Sequence, residues 1–193
     1  MKRNLLISIW MTLATTVLLG IIYPLVVTGL AQWIFPRQAN GEIIQVGGKT
    51  VGSSLIGQPF TSAGYFHSRP SGAGAAGYDP DASGGGSPNY GPTNSALITR
   101  VNGDVQRLQA ENPGARIPVD LVTTSGSGLD PHVSPASAEF QIPRVARERG
   151  MSEADVRALV AKDTEGRQLG FLGEPRVNVL ELNLELDAVR PLR

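Results

Sequence analysis

The sequence lacks cysteine altogether and contains only two histidines, His67 and His132, among 193 residues. Without cysteine the chain can form neither disulfides nor thiolate metal sites, although this absence alone does not identify the compartment. Neither histidine belongs to a pair with the spacing of metal ligands. We therefore expect no metal and no cofactor to be bound by this chain itself.

An excess of positive charge is also missing. The chain has 17 basic and 17 acidic residues, so its formal net charge is zero. Proteins that bind nucleic acid usually carry a basic patch and a clear excess of lysine and arginine. The composition therefore disfavours nucleic acid as a partner.

Charge is absent from one long stretch near the N-terminus, between Arg3 and Arg37. Residues 5–35 are mostly apolar and would form a helix of roughly 46 Å, more than the ~20 residues that cross a bilayer. A cleaved signal peptide is disfavoured, because its apolar core spans only ~7–15 residues and no small-residue cleavage site follows here. We expect a cytosolic tail at residues 1–4, a transmembrane helix at residues 5–35 and a soluble domain at residues 36–193.

The orientation of this span depends on the charges at its two ends. Lys2, Arg3 and the free amine favour a cytosolic N-terminus, which would place the soluble domain outside the cytoplasmic membrane. Arg37 and Lys49 give the far end the same number of basic residues, so the count alone does not settle the orientation. We favour a cytosolic N-terminus because its charges lie within a very short tail.

Small and hydroxyl residues recur at every fourth position along the span, as Ser8, Thr12, Thr16, Gly20, Pro24 and Thr28. Such residues let a neighbouring helix approach closely, whereas a plain anchor does not need them. Each step of four advances about 40° around an α-helix, so the six positions cannot all face one straight neighbour. We predict a partner-helix contact at Thr12, Thr16 and Gly20.

The soluble part begins with a hairpin signal, in which Gly47-Gly48 separates two β-branched runs. Residues 71–92 contain seven glycines and predict a long loop, for which Tyr78 and Tyr90 could serve as anchors. A helix capped by Asn94 follows, and Pro113-Gly114 stops it. Its apolar face is predicted to be core and consists of Leu97, Val101, Val105 and Leu108.

Two further helices are predicted from their capping residues. One starts at Ser134-Pro135, has Pro143 as a predicted kink and ends near Gly150. The other has Ser152 as its cap, with Met151 and Val156 placed to form a hydrophobic staple.

The C-terminal segment is ambiguous. Leucines alternate with polar residues from Leu180 to Leu186, which favours a half-buried strand over residues 177–187. A helix capped by Asn178 remains the alternative. Together the elements predict an α+β protein: one N-terminal transmembrane helix followed by a small mixed soluble domain.

Residues 123–135, TTSGSGLDPHVSP, contain serine, aspartate and histidine, the residue types of a hydrolytic triad. The glycines do not match the Gly-x-Ser-x-Gly nucleophile turn, and a short separation along the chain does not establish triad geometry. Glycine here can supply positive φ, and Asp130-Pro131 can stiffen a turn. We therefore interpret this segment as a docking loop, whose predicted site residues are Ser125, Gly126, Ser127, Gly128, Asp130 and His132.

Several longer motifs resemble the KdpC family, the small single-span subunits of bacterial potassium-transporting P-type ATPases. The resemblance runs nearly from end to end and is carried by VGSSLIGQPF, YFHSRPS, YGPTN, VDLVTTSGSGLDPHVSP and TEGRQLGFLGEPRVNVLELNL. Residues 71–92 match the glycine-rich stretch of that family in style more than letter by letter.

The resemblance implies a non-catalytic subunit of a high-affinity, ATP-driven potassium uptake complex in the cell inner membrane, with the soluble domain on the outer, periplasmic face. The implied partners are a channel-like potassium-binding subunit, an ATP-hydrolysing P-type subunit and a very small single-helix subunit. These partners would handle the ATP and the potassium. The family is described as a catalytic chaperone that raises the ATP affinity of the ATP-hydrolysing subunit.

Two other functions remain open from the residues alone. The chain could be a stand-alone, membrane-anchored ligand-binding module, or an anchored serine hydrolase that uses the loop at residues 123–135. Direct contact with ATP would be possible only if the soluble domain lay on the cytosolic side.

Overall fold

A computed structural model describes residues 1–74, 77–79 and 89–192. Within these residues the chain divides into two compact units, Met1–Val51 and Gly52–Arg193. Helices and strands are mixed, and one N-terminal helix is followed by a small domain, as the sequence predicts. Within the predicted loop at residues 71–92, residues 75–76 and 80–88 lie outside the described residues.

The first unit begins with a helical run of 33 residues, Lys2–Ile34, that is long and apolar enough to cross a membrane. It comprises α1 (Lys2–Val17), a π-helical turn (Leu18–Ile22) and α2 (Tyr23–Ile34). A short helix, α3 (Pro36–Ala39), follows directly.

The π-helical turn is a feature that the sequence did not predict. It ends two residues before Pro24, and the Tyr23 N–H donates to the Leu18 carbonyl five residues earlier. Proline in a regular helix removes one hydrogen bond and clashes with the preceding turn. The wider turn at this point lets the helix continue past Pro24 without a break.

A β-hairpin follows α3 along the chain. Strands β1 (Ile43–Val46) and β2 (Lys49–Ser53) pair across Gly47 and Gly48, whose φ angles are 57° and 79°. Two positive φ values in succession are what a tight two-residue hairpin turn requires, and glycine adopts them without steric cost. The predicted hairpin is therefore confirmed.

The second unit contains four α-helices, one 3₁₀ turn (Val119–Leu121) and a small sheet among its described residues. The helices are α4 (Ser95–Glu111), α5 (Pro135–Arg149), α6 (Glu153–Lys162) and α7 (Val179–Val189). The strands are β3 (His132–Val133), β4 (Thr164–Glu165) and β5 (Arg176–Asn178), in the order β3-β5-β4 with antiparallel pairing. Helices α5 and α7 both pack against the central strand β5.

The predicted helix caps are confirmed. The side chain of Asn94 accepts a hydrogen bond from Ala96 N–H, and that of Ser134 accepts one from Ser137 N–H. Ser152 caps α6 by accepting from Asp155 N–H at 3.1 Å. Helix α5 continues through Pro143, and the kink there stays a prediction.

The apolar face of α4 is less buried than predicted. Only Leu108 is buried, and the other three apolar positions of that face remain partly exposed. Leu108 packs with Leu121 and Phe140 in a small cluster that is separate from the main core. The N-terminal half of α4 therefore contributes little to the core.

The predicted strand over residues 177–187 is wrong. Only Arg176–Asn178 is a strand, and α7 follows, capped by the Asn178 side chain, which accepts from Leu180 and Glu181 N–H. The helix buries Leu182 and Leu186, which are four positions apart. The alternative of a helix capped by Asn178 is the correct one.

The main core combines residues of α5, α6, α7 and the sheet with one aromatic from an irregular segment. Its members are Phe66, Val133, Ala138, Ile142, Val145, Ala146, Val156, Val160, Val177, Val179, Leu182 and Leu186. Met151 packs against the same cluster as Val156, as expected for the predicted hydrophobic staple.

Phe66 belongs to residues 57–74, here called the irregular segment, which contains neither helix nor strand. Two buried amide side chains hold its backbone. Asn183 accepts from Phe66 N–H and donates to Phe66 C=O, both at 2.9 Å. Gln141 accepts from His67 N–H at 2.7 Å and donates to His67 C=O at 3.1 Å.

Two arginines of α5 also bind the backbone of the irregular segment. Arg144 donates to the carbonyls of Ala63 and Tyr65 and forms an ion pair with Glu111 at 2.7 Å. Arg149 donates to the Gly64 carbonyl at 2.6 Å, and its guanidinium lies 4.8 Å from the centre of the Tyr65 ring. The irregular segment is thus fixed to α5 and α7 by side chains that replace the pairing of a sheet.

We predict that Asn183→Leu lowers the free energy of unfolding by about 2–4 kcal/mol, because the Phe66 N–H and C=O would stay buried without partners. Chemical denaturation of the full-length chain in detergent measures this loss. The control is Asn102→Leu on the exposed side of α4, which should change stability by less than about 0.5 kcal/mol. Equal stability of both variants would contradict the role given to Asn183.

Candidate docking site

The loop at residues 123–135 uses its serine hydroxyls to shape its own backbone. Ser125 Oγ accepts from Gly128 N–H at 3.0 Å, and Ser127 Oγ accepts from Leu129 N–H at 3.1 Å. Among the described residues, no hydrogen bond joins either serine to a histidine. This arrangement is typical of turn-forming serines and does not resemble a nucleophile activated by a base.

The two glycines predicted to shape the loop differ from each other. Gly128 has a φ of 70°, and a Cβ atom at this position would lie 3.0 Å from Ala73 N. Gly126 does not have a positive φ, and a Cβ there would meet nothing within 4 Å. The backbone conformation therefore requires glycine at position 128, but it does not require glycine at position 126.

The irregular segment holds the loop from one side. Ser71 Oγ donates to the Gly128 carbonyl at 2.6 Å and accepts from Tyr78 N–H at 2.8 Å. Gly57 N–H donates to the Leu129 carbonyl at 2.8 Å. The loop position thus depends on the segment that α5 and α7 fix in place.

Asp130 connects the loop to Arg69 of the irregular segment. Its Oδ2 lies 3.0 Å from Arg69 Nη1, while its Oδ1 accepts from His132 N–H at 3.0 Å and lies 3.4 Å from His132 Nδ1. Burial works to raise the pKa of the Asp130 carboxyl, but the hydrogen bonds from His132 and the charge of Arg69 outweigh it and lower the pKa. Asp130 is therefore held in its charged form, which favours the ion pair with Arg69.

Tyr78 anchors the end of this arrangement. Its hydroxyl donates to the Arg69 carbonyl, and burial raises the pKa of the Tyr78 phenol to about 12. Tyr78 is therefore an anchor, as the sequence suggested, whereas Tyr90 is 44% exposed.

The other histidine, His67, has its Nε2 3.1 Å from the Ser62 carbonyl, and burial together with nearby Arg144 lowers its pKa.

Sequence reasoning did not identify Asp120. Its carboxylate accepts from Ser134 N–H at 2.8 Å, from Ser134 Oγ at 3.0 Å and from Ser137 Oγ at 2.6 Å. It thereby joins the turn Val119–Leu121 to the first turn of α5. The capping serine was visible in the sequence, but its contact with Asp120 depends on tertiary structure and has no local signal.

An open cavity of about 690 Å³ lies beside the loop. One side is formed by loop residues that include Asp130 and His132, and another by Glu174 and Pro175 of the β4–β5 connection and Arg176 of β5. Arg69 and Asp120 also line the cavity, so its walls carry both signs of charge. Such a mixed, open surface suits contact with a protein better than enclosure of a small molecule.

The predicted partner-helix contact lies on the N-terminal helix. Thr12 and Thr16 belong to α1, and Gly20 belongs to the π-helical turn. A Cβ atom placed on Gly20 would lie 3.9 Å from Thr16 Cγ2, so these two positions are neighbours on the helix surface. A π-helical turn holds more residues than an α-helical one. The four-residue step from Thr16 to Gly20 therefore rotates less far beyond one full turn than it would in a regular α-helix.

Comparison with known proteins identifies the family of this chain. The sequence profile of the KdpC family, described as the c chain of the K+-transporting ATPase, matches residues 5–188. The chain belongs to the KdpC family. Its residues 123–135 and the β4–β5 connection both fall within the matched range.

Relatives match this chain over nearly their whole length. The potassium-transporting ATPase KdpC subunit of Koribacter versatilis is 64% identical over 192 residues, covering 100% of this chain and 98% of the relative. That of Acidobacterium capsulatum is 56% identical, with 96% and 98% covered, and that of Caulobacter vibrioides is 59% identical, with 91% and 88% covered.

We predict that Gly128→Val destabilises the full-length chain by about 1–3 kcal/mol, because valine is strained at positive φ and would collide with the backbone at Ala73. Gly126→Val is the matched control and should have little effect. Ser127→Ala and His132→Ala should be milder than Gly128→Val. Denaturant unfolding of the four variants compares them, and equal losses at both glycines would contradict the structural role of Gly128.

Proposed function

We propose that this chain is a non-catalytic subunit of a high-affinity, ATP-driven potassium uptake complex in the cell inner membrane. The observation that carries the proposal is the match to potassium-transporting ATPase KdpC subunits from end to end. The loop at residues 123–135 supports it, because its hydroxyls serve its own turns. The partners are a channel-like potassium-binding subunit, an ATP-hydrolysing P-type subunit and a small single-helix subunit, which handle potassium and ATP.

The soluble domain lies on the outer face in this proposal, and the N-terminus lies in the cytosol. Lys2 and Arg3 at the short N-terminal tail support this orientation. A domain outside the membrane cannot touch cytosolic ATP. Its effect on ATP affinity must therefore come from binding one conformation of the complex more tightly than another.

The proposed chaperone role predicts a change in KM for ATP. Potassium-stimulated ATP hydrolysis is measured for the other subunits in lipid, with and without the purified full-length chain. Adding the chain should lower the KM for ATP about fivefold or more, the range in which allosteric couplings usually lie. An unchanged KM would contradict the chaperone role, and failure of the chain to join the other subunits would contradict the proposal as a whole.

The proposed helix contact at Thr12, Thr16 and Gly20 predicts a second effect. Gly20→Leu fills the surface beside Thr16 and should reduce the amount of partner subunit recovered with the chain in detergent. Gly29→Leu is the matched control, because a Cβ at Gly29 meets nothing within 4 Å and Gly29 lies outside the predicted contact. Equal recovery of partners with both variants would leave the contact unsupported.

A further inference from the structure

The connection between β4 and β5 exposes three large apolar side chains. Leu169 is 82% exposed, Phe171 is 69% exposed and Leu172 is 47% exposed. They lie together in residues 168–172, here called the hairpin tip. The adjoining strand β5 places Val177, which is fully buried, in the main core. Three large apolar side chains exposed within four residues form a patch of the kind that marks a contact with another molecule.

The hairpin tip has a fixed shape. Gln168 and Leu172 exchange two backbone hydrogen bonds, each 2.9 Å long, and Phe171 N–H donates to the Gln168 carbonyl at 3.2 Å. Arg167 and Glu174 form an ion pair across the base of the turn. A surface that is already ordered loses little conformational entropy when it binds.

Leu169 has a backbone conformation that is unfavourable for leucine, with a φ of 53°. Glycine or asparagine would adopt this conformation at lower cost and would expose less apolar surface. Strained backbone positions cluster at binding and switch sites. The exposed Leu169 side chain contributes nothing to the main core, so the strain is explained best by a contact made outside the chain.

The charges beside the hairpin tip identify the kind of partner. Arg167 pairs with Glu174, and Arg176 pairs with Glu165 at 2.9 Å. These four charged residues beside the hairpin tip sum to zero charge, and both arginines are already paired. Residues 167–174 also contain no tryptophan or tyrosine, the aromatic residues that are enriched at lipid interfaces, and no lysine. These features favour an apolar pocket of a protein over the surface of a bilayer.

The hairpin tip also continues a surface described above. Glu174, at its base, lines the same cavity as Asp130 and His132. The residue at the base of the tip and the loop at residues 123–135 therefore border one cavity. One partner could contact both at the same time.

We propose that the hairpin tip inserts into an apolar pocket of a larger subunit of the potassium-transporting complex. This inference rests on the proposed function, because the partner is a member of that complex. Phe171 and Leu169 are the anchoring side chains, and the cavity beside the loop receives the polar part of the same partner surface.

Crosslinking within the intact complex tests the contact. Phe171 is replaced by a photoreactive phenylalanine analogue in the tagged full-length chain, and the membranes are irradiated. We expect a crosslink to a larger subunit of the ATPase, identified by mass spectrometry. The same analogue at Val189 of α7, which is 57% exposed, is the control and should give no such product.

The possible failures of this experiment can be told apart. If the tagged chain recovers the complex while Phe171 crosslinks only to lipid, only to a second copy or to nothing, the hairpin-tip proposal is overturned and the proposed function stands. If the tagged chain recovers no other subunit of the ATPase, both are overturned.

Substitutions separate binding from folding. Phe171→Ser should speed dissociation of the chain from the complex about tenfold or more, as loss of an apolar anchor usually does. Leu169→Gly should weaken retention as well, although it relieves the positive φ and should leave the stability of the chain unchanged or higher. Val189→Ser is the control for loss of exposed apolar surface. Retention of both tip variants at the level of the control would overturn the proposal.

Discussion

Buried polar side chains of α5 and α7 hold the irregular segment, and the rest of the domain depends on this contact. The segment lies against the core without helix or strand, so its backbone groups need partners from elsewhere. Side chains provide them, namely Gln141, Arg144, Arg149 and Asn183. Phe66 is thereby fixed in the main cluster, and its burial in turn shields the amide contacts from water. The burial of Phe66 and the hydrogen bonds to the backbone of the irregular segment therefore depend on each other.

The loop at residues 123–135 takes its position from the same contact. Arg69 and Ser71 follow Phe66 on the irregular segment and bind Asp130 and the Gly128 carbonyl. A change that loosens the segment would therefore move the loop as well, even though the loop shapes its own turns. The core thus fixes the backbone conformation of the loop. A fixed backbone surface suits docking of a partner better than it suits catalysis by a single side chain.

Features with local causes could be predicted from the sequence. The hairpin follows from Gly47-Gly48, and the helix starts follow from their capping residues, because the groups involved are neighbours along the chain. The C-terminal segment was predicted wrongly for a specific reason. Asn183 occupies a buried position of α7, where it binds Phe66. Reading it as a solvent-facing residue produced an apparent period of two and hid the helical period.

The rest of the site depends on pairs that are distant in sequence, such as Arg69 with Asp130 and Asp120 with Ser134. No spacing rule connects these residues, so the sequence identified the loop and some of its members without their partners. It also did not reveal which loop glycine is needed, because that depends on Ala73. Exposure of the hairpin tip was equally invisible, since Leu169 and Phe171 have the composition of core residues. A sequence pattern predicts apolar surface, but only the fold determines whether the chain covers that surface itself or leaves it for a partner.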